Sequence, residues 1–425
     1  MNSYKNRVFD KMLAEELSVV DAILIEGAKW CGKTTTAEKA AKSAFYMDAL
    51  GKKEENRILA RTAPERIISG DTPRLIDEWQ LAPSLWDAVR YQVDHMSGRG
   101  KYILTGSSVP ADMDDVHHSG AGRFAWLRMR PMSLWESGDS SGAVSLGELF
   151  SGADPSGKVP NVIPLDKMAY LACRGGWPGI SSLYSEAALD LPFSYLDAVV
   201  KSDISRIDGV ERNEFTARRI LRSYARLQGT QSTAAAIRSD LANNEPKTFS
   251  EATVNSYINA LKKLFAIEDM PAWSPNLRSK TPIRTSDTRY FTDPSIAAAA
   301  LGVGPEDLMN DLRTFGFIFE AMAVRDLRVY VGSMRGEVLH YKDANGLECD
   351  AVVHLRNGRY GLVEIKLGGM ELIEKGAATL RKLASRIDAT NMKAPSFLMV
   401  LTATGDVAYR REDGVLVSPL SALKP

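Results

Sequence analysis

One eight-residue segment constrains the fold of this chain more than any other feature. The apolar run 22–26 predicts a β-strand, and it leads directly into a segment that matches G-x-x-x-x-G-K-[ST]. The next run, TTTAEKAAKS, predicts a helix whose positive N-terminal end faces back toward the segment. In this order of strand, glycine-rich turn and helix, backbone N–H groups converge on phosphates. The sequence therefore predicts a phosphate-binding loop.

The residue types in this loop predict how ATP and a metal ion would bind. Gly27 and Gly32 permit the turn that points the backbone N–H groups inward. Lys33 is expected to reach the β- and γ-phosphates, and the Thr34 hydroxyl can ligate Mg²⁺. The candidate ATP-binding residues are Gly27, Ala28, Lys29, Trp30, Cys31, Gly32, Lys33, Thr34 and Thr35.

Two further predicted strands end in polar residues suited to the same site. One ends in Asp77 and is followed by Glu78. We expect Asp77 to hold Mg²⁺ and Glu78 to orient and activate the attacking water. The other places the hydroxyls of Thr105 and Ser107 nearby, where either could contact the γ-phosphate or position the water. The alternative for these two hydroxyls is a strand-end turn that caps the next segment.

The pattern of apolar runs predicts the fold class. Five short runs in the first 135 residues alternate with helical stretches, which is typical of a parallel α/β sheet covered on both faces. They lie at 22–26, 44–48, 74–77, 101–106 and 124–129. A length of 425 residues with 44% hydrophobic residues indicates two or three globular domains. We predict a P-loop NTPase domain at 1–160, a helical and winged-helix domain at 161–310, and a nuclease-like α/β domain at 311–425.

Charge and cysteine content limit the partners and the compartment. The 53 Lys and Arg residues balance 53 Asp and Glu residues, so a globally basic nucleic-acid-binding protein is excluded and only local patches remain. Three widely spaced cysteines without a CxxC pair argue against a disulfide framework and a structural zinc site. No apolar run approaches the roughly 18 residues that span a bilayer. We therefore expect a cytoplasmic protein with no membrane partner.

The middle region predicts helices followed by two short strands. Three amphipathic segments and then two strand-like runs are typical of a helix-turn-helix with a two-stranded wing, whose third helix enters the major groove in nucleic-acid binders. The candidate DNA contacts are Thr253, Asn255, Ser256, Asn259, Lys262, Lys263, Arg278, Lys280 and Arg284. Glu251 and the neutral overall charge weigh against tight DNA binding, so a protein-interaction or lid module is an equal alternative.

The C-terminal region predicts one helix followed by alternating strands. Asp350 and Glu364 fall on neighbouring predicted strands, and Lys366 follows two residues later. This spacing looks like the D…ExK signature of PD-(D/E)xK nucleases, in which the acids bind Mg²⁺ and the lysine stabilises phosphate charge. Glu320 on the preceding helix is a further candidate acid. The alternative is a nuclease-like fold without cleavage activity.

Nine short motifs extend along nearly the whole chain. They are GAKWCGKTTTA, LIDEWQLAP, YILTGSS, GAGRFAWLRMRPMSLWE, RGGWPG, YLDAVVKSDI, RYFTDPSIA, LVEIK and DGVLVSPLSAL. Their ordered set resembles a prokaryotic AAA+-type ATPase family whose C-terminal part is a domain of unknown function. The resemblance implies that Lys33 and Thr34 bind nucleotide and magnesium, and that Asp77 and Glu78 form the acidic motif. It also implies that Arg123 contacts phosphate, in cis or from a neighbouring subunit.

The resemblance adds two expectations and contains one departure. It implies the same winged helix in the middle region, and it is compatible with homo-oligomers. Lys29 stands where an arginine is common in the family, which should not harm phosphate binding because the loop uses its backbone there. We expect an ATP-hydrolysing molecular switch, with an ATP-gated DNA nuclease and a nucleotide-dependent protein-interaction module as the alternatives.

Overall fold

The computed structural model of the protein describes residues 4–109, 122–244, 249–275, 286–387 and 392–425. The N-terminal elements are α1 (Val8–Leu17), β1 (Ala22–Glu26), α2 (Lys33–Ala40), β2 (Ser43–Tyr46), α3 (Lys53–Thr62), α4 (Glu65–Ile68), β3 (Arg74–Asp77), a 3-10 turn (Trp79–Leu81), α5 (Leu85–His95), β4 (Tyr102–Gly106), β5 (Phe124–Arg128), α6 (Leu134–Ser137), β6 (Val144–Ser145), α7 (Leu146–Leu149) and β7 (Gly157–Lys158).

The five predicted apolar runs form one parallel sheet, which confirms the predicted fold class. The strand order is β2-β3-β4-β1-β5, and every pair in it is parallel. The central strands β4 and β1 are buried nearly throughout, whereas the edge strand β2 alternates between half-buried and exposed residues. Because β4 lies between β1 and β3, the carboxyl ends of these three strands meet at one edge of the sheet. The phosphate-loop motif follows β1 at that edge.

The middle region is helical, as predicted. Its elements are α8 (Leu165–Arg174), α9 (Glu186–Ala198), a π-helical turn (Val199–Asp203), α10 (Ile204–Arg206), α11 (Glu214–Arg226), α12 (Ala234–Asn244), α13 (Glu251–Lys263), α14 (Pro294–Leu301) and α15 (Pro305–Asn310). Two antiparallel bridges follow α13, and they join Ile267 to Phe291 and Met270 to Thr288. These bridges lie where the sequence predicts the wing, whose predicted tip falls outside the described residues.

The C-terminal region is a second α/β unit. Its elements are α16 (Leu312–Gly332), β8 (Gly336–Lys342), β9 (Glu348–Leu355), β10 (Tyr360–Lys366), α17 (Met370–Arg386), β11 (Phe397–Thr402), β12 (Val407–Arg410), β13 (Leu416–Pro419), a 3-10 turn (Leu420–Ala422) and β14 (Leu423–Lys424). The sheet order is β7-β12-β13-β11-β10-β9-β8. Strands β8 to β10 form an antiparallel meander, and α17 carries the chain across to β11, which pairs with β10 in parallel.

Alternation along the central strands of this sheet divides its side chains between two cores. Val353 and Val363 belong to the core that includes α16, whereas Val352 and Leu362 belong to the core that includes α17. The two helices therefore cover opposite faces of the sheet, and they shield residues on β9 and β10 from solvent.

Strand pairing also crosses the predicted domain boundary at residue 160. The short strand β6 pairs with β14, and β7 pairs with β12 of the C-terminal sheet. Ser140 Oγ donates a hydrogen bond to the Leu423 carbonyl over 2.6 Å. Residues before the boundary thus pack with the end of the chain. Across the described ranges, no helix combines the length and apolar character needed to cross a bilayer.

Candidate active site

The loop after β1 has a backbone that only glycine permits at two positions. Gly27 has a φ of +158°, and a Cβ built there would lie 2.1 Å from the Met129 carbonyl oxygen. Gly32 has a φ of +100° and directly precedes α2. A side chain at Gly27 would collide with rigid backbone, and a side chain at Gly32 would strain the left-handed conformation. The loop is therefore held tightly between β1 and the segment after β5.

Lys33 closes this loop from the inside. Its ammonium donates hydrogen bonds to the carbonyl oxygens of Gly27 and Ala28, each over 2.9 Å, and only 5% of the residue is exposed. The two carbonyl oxygens satisfy hydrogen-bond donors of the buried ammonium. The structure thus places Lys33 where the motif predicts a contact to phosphates.

Asp77 and two hydroxyls form a cluster at the shared edge of the sheet. Asp77 Oδ1 accepts hydrogen bonds from Thr34 Oγ1 over 2.8 Å and from Thr105 Oγ1 over 2.5 Å. Burial raises the pKa of Asp77, while the bonds from Thr105 and Thr34 partly offset this rise. Carboxylate and hydroxyl oxygens are hard ligands of the kind that Mg²⁺ prefers. The donor set therefore fits the predicted metal ion.

Glu78 lies beside this cluster in an uncommon backbone conformation. Its φ is +55°, in the left-handed region that disfavours residues with a side chain. Its backbone N–H donates to Thr105 Oγ1 over 3.2 Å, and its carboxylate accepts a hydrogen bond from Ser107 Oγ over 2.8 Å. The Gln80 amide, which the sequence did not single out, also donates to this carboxylate. The structure therefore brings Glu78, Thr105 and Ser107 together, as the strand ends predicted.

Two clefts flank the loop. Cleft A has a volume of about 660 Å³. Its lining includes Lys29, Glu78, Ser107, Asp203 and Arg206. Cleft B has a volume of about 330 Å³. Its lining includes Tyr4, Arg7, Gly32, Thr35 and Pro178. Cleft A thus contains the candidate catalytic acid, and cleft B lies beside the N-terminal end of α2.

Arg7 fixes the loop from the N-terminal segment, and sequence reasoning missed it. Its guanidinium donates to the carbonyl oxygens of Cys31 and Arg130, each over 2.8 Å, and to the Glu136 carboxylate over 3.0 Å. The residue is 7% exposed. Its partners lie up to 129 residues away in the chain, so no local pattern indicates this contact. Arg7 ties the loop to the segment that follows β5.

Two side chains of the phosphate-binding loop contact the middle region. Lys29 Nζ lies 2.7 Å from Asp203 Oδ1, at the end of the π-helical turn. The Trp30 ring packs edge-on against Tyr195, with 5.7 Å between ring centroids. Cys31 is completely buried. The loop therefore contacts the middle region through Lys29 and Trp30. Asp203, like Arg7, was not anticipated from the sequence.

Arg123 lies at the opposite end of the sheet from the loop. It precedes β5, and its side chain pairs with Asp94. The segment that touches the loop begins at Met129, after the five residues of β5, which span about 16 Å at the usual rise of a strand. The predicted contact to phosphate in cis is therefore wrong for this arrangement. A contact from a neighbouring subunit stays a prediction.

Several candidate DNA contacts on α13 are occupied by internal partners. Ser256 Oγ accepts a hydrogen bond from Arg212 over 3.1 Å, and Lys262 pairs with Asp269 over 2.6 Å. The Lys263 carbonyl accepts a hydrogen bond from Val109 N, just beyond β4. Ser256 and Lys262 therefore have internal partners, and their contact with DNA stays a prediction. The other α13 candidates are Asn255 and Asn259, which are exposed, and Thr253, which is partly exposed; Arg278, Lys280 and Arg284 lie outside the described residues.

The predicted C-terminal residues do come together. Lys366 Nζ lies 2.8 Å from Asp350 Oδ2 and 2.7 Å from Glu364 Oε2. Burial, reinforced by Asp350, raises the pKa of Glu364 and of Glu320 to about 8 each. Tyr290 of the middle region donates a hydrogen bond to Glu320. No group of three or more His, Cys, Asp or Glu side chains is arranged to hold a metal ion in the part of the chain that the structure describes.

Comparison with known proteins assigns a family to each region. Residues 20–137 match the family model described as AAA domain. Residues 165–307 and 315–423 match two families described as domains of unknown function, DUF8612 and DUF4143. Uncharacterized proteins of Mycobacterium bovis and Mycobacterium tuberculosis are each 22% identical to this chain over 358 residues, which cover 83% of this chain and 72% of each relative.

Two solved structures share low overall similarity with the chain. The Walker-type ATPase of Pyrococcus abyssi has a TM-score of 0.42 at 15% identity, over 70% of this chain and 96% of that chain. The Orc1 protein of Aeropyrum pernix, solved in complex with DNA, has a TM-score of 0.23 at 12% identity, over 71% of this chain and 93% of that chain. The AAA domain match covers the parallel sheet, the phosphate-binding loop and the acidic strand end. Residues 20–137 therefore form a P-loop ATPase domain of the AAA type, and residues 315–423 match a domain of unknown function.

Proposed function

We propose that this ATPase is a molecular switch. In this proposal, ATP hydrolysis at the edge of the parallel sheet changes how the middle region packs against the ATPase domain. The observation that carries the proposal is the convergence of Thr34, Asp77 and Thr105 beside Glu78. The hydroxyls of Thr34 and Thr105 share one carboxylate oxygen, and Glu78 is held by Ser107 and Gln80 next to them.

Each residue of the cluster has a role in this proposal. Lys33 would exchange its two loop carbonyls for phosphate oxygens, because an ammonium binds anionic oxygens more strongly than neutral ones. Thr34 and Asp77 would hold Mg²⁺, which when bound neutralises charge on the β- and γ-phosphates. Glu78 would accept a hydrogen bond from the attacking water and orient it, and Thr105 fixes the position of Glu78 through its backbone.

The two clefts set the orientation of the nucleotide in the proposal. Glu78 and Ser107 line cleft A, so the γ-phosphate and the attacking water belong on that side. The adenosine then extends into cleft B, between the N-terminal segment and Pro178. This end of the site combines residues from the N-terminal segment, from α2 and from the loop after α8, so nucleotide binding would join all three.

We call Thr34, Asp77, Glu78 and Thr105 the hydrolytic cluster. The switch needs a contact between this cluster and the middle region. Val109, two residues after Ser107, donates its backbone N–H to the last turn of α13 over 3.0 Å. Arg130, which Arg7 links to the loop, forms an ion pair with Glu268 just after α13. Arg130 and Arg328 of α16 lower the pKa of Glu268, although its burial acts in the opposite direction. Nucleotide state can thus reach α13 and α16 through polar contacts at their ends.

DNA cleavage by the C-terminal unit is the second candidate function. The order α16, β8, β9, β10, α17, β11 and the pair Asp350–Glu364 support it. The direct bonds from Lys366 to both acids weigh against it, because a divalent cation would have to displace the ammonium from the bonded oxygens. We therefore assign a structural role to this cluster. We propose DNA or a protein partner as the target of the switch. We also keep the proposal that a neighbouring subunit presents Arg123 to the phosphates.

Hydrogen exchange tests the switch. Glu78→Gln with saturating ATP holds the chain before hydrolysis, and the parent with ADP represents the state after it. We expect backbone exchange to differ between these two states in the last turn of α13 and at Val109, since nucleotide state alters their contact. The central β9 strand of the C-terminal sheet serves as the internal control. Identical protection of α13 in both states would contradict the switch and leave only the ATPase.

A further inference from the structure

The ion pair between Lys29 and Asp203 joins the phosphate-binding loop to the middle region. Lys29 is the third residue of the loop, and its side chain is 42% exposed. The Asp203 side chain is 9% exposed and ends the π-helical turn Val199–Asp203 that follows α9. A π-helical turn within a helix is uncommon and frequently marks a functional position.

Asp203 is only half satisfied by this pair. Its Oδ1 accepts from Lys29 over 2.7 Å, whereas its Oδ2 is buried and has no hydrogen-bond partner among the described residues. A buried carboxylate oxygen without a donor is costly, because the water that solvated it has been removed. Asp203 therefore depends on Lys29 for its hydrogen bond, and an anion that draws Lys29 away must offset the loss of that bond.

Lys29 and Asp203 lie in the same cleft as the candidate catalytic acid. Both line cleft A together with Glu78 and Ser107. The Lys29 side chain therefore points to the side of the loop where the proposed γ-phosphate would lie. A terminal phosphate carries more negative charge than a single carboxylate, so it competes effectively for an ammonium in this cleft.

We infer that Lys29 senses the γ-phosphate by exchanging Asp203 for it. The inference rests on the proposed function and adds a residue and a contact to it. With ADP or without nucleotide, Lys29 stays paired with Asp203, and the π-helical turn is held against the loop. With ATP, Lys29 binds the γ-phosphate, Asp203 is released, and the π-helical turn after α9 loses its ion pair with the loop. Asp203 is then a positioning residue, and Lys29 contacts the substrate.

The ratio of the Kd for ADP to the Kd for ATP tests the exchange. Both constants are measured by titration in the Glu78→Gln background, in which ATP is not hydrolysed during the measurement. Asp203→Asn should raise this ratio about fivefold, because Lys29 no longer gives up an ion pair when ATP binds. Lys29→Met should lower the ratio by a similar factor, because only ATP loses a contact. The double variant should match Lys29→Met alone. Asp197→Asn, which removes the exposed partner of Lys201 on the same helix, should leave the ratio unchanged.

Two outcomes would overturn the inference. An unchanged ratio in Asp203→Asn would show that the ion pair does not compete with ATP. Equal weakening of ATP and ADP binding by Lys29→Met would show that Lys29 only supports the loop. Failure of the Glu78→Gln chain to bind either nucleotide would instead overturn the proposed function, which makes the two failures distinguishable. Lys29 is nearly half exposed, so Lys29→Met keeps the test available if Asp203→Asn does not fold.

Discussion

The phosphate-binding loop region and the C-terminal unit each combine a lysine with acidic side chains, and these groups are satisfied in different ways. At the P-loop, Lys33 bonds carbonyl oxygens, and Asp77 bonds the hydroxyls of Thr34 and Thr105. In the C-terminal unit, Lys366 bonds Asp350 and Glu364 directly. The first cluster pairs each charge with neutral groups, whereas the second pairs opposite charges with each other.

This difference indicates which cluster is prepared for a ligand. Neutral partners can be exchanged for phosphate oxygens or a cation with a gain in electrostatic energy. An ion pair that is already formed in a buried site must first be broken, which costs several kcal/mol in typical proteins, about 3–5 when one partner is removed. The P-loop cluster is therefore suited to binding, and the C-terminal cluster is suited to holding β9 and β10 together.

Replacing the two lysines should produce opposite effects. Lys33→Ala should weaken ATP binding about tenfold or more, because a charged contact to phosphate is lost. Lys366→Met should leave ATP binding intact but lower the free energy of unfolding by about 2 kcal/mol or more, because the buried Glu364 and the partly buried Asp350 lose their cation. Nucleotide titration and urea unfolding measure the two effects. The double variant Lys366→Met/Asp350→Asn should regain part of the stability; no recovery would contradict the ion-pair account.

The pH dependence of stability should show the excess of acids in the C-terminal cluster. The pKa of Glu320 is raised to about 8 in the folded chain, so its contribution to stability is fully present below the ordinary pKa of about 4.5 and is lost as pH rises through about 8. Glu320→Gln should therefore reduce the loss of stability between pH 5 and pH 8 by about 1 kcal/mol or more. Glu374→Gln, at an exposed pair with Arg411, is the matched control. An unchanged slope in Glu320→Gln would contradict the raised pKa.

The smallest effect should be that of metal ions, added without nucleotide, on stability and on DNA cleavage. We expect millimolar Mn²⁺ to leave the melting temperature of the full chain unchanged and plasmid DNA intact, because Lys366 already bonds an oxygen of each acid. A stabilising shift that disappears in Asp350→Ala would show a metal site. Nicking that disappears in Lys366→Ala, while ATP turnover continues, would restore the nuclease hypothesis.

The fold and the hydrolytic cluster were largely predictable because they depend on local patterns. Apolar runs gave the strands, with bounds identical to those of β1 and β3, and parallel strands end at a common edge. The sequence could also have placed Arg123 far from the loop, because Arg123 comes before a predicted strand whose other end lies near the loop. Arg7 and Asp203 could not be found in this way. Their partners Glu136 and Lys29 are 129 and 174 residues distant, and only tertiary packing brings them together.

Steady-state ATP turnover of Glu78→Gln tests the central claim most directly. The substitution keeps the shape of the side chain but removes the charge that accepts a hydrogen bond from the attacking water. We predict that turnover falls at least about 100-fold while ATP still binds with nearly the affinity of the parent. Turnover equal to that of the parent would contradict the assignment of Glu78, and with it the proposal that this cluster performs the hydrolysis.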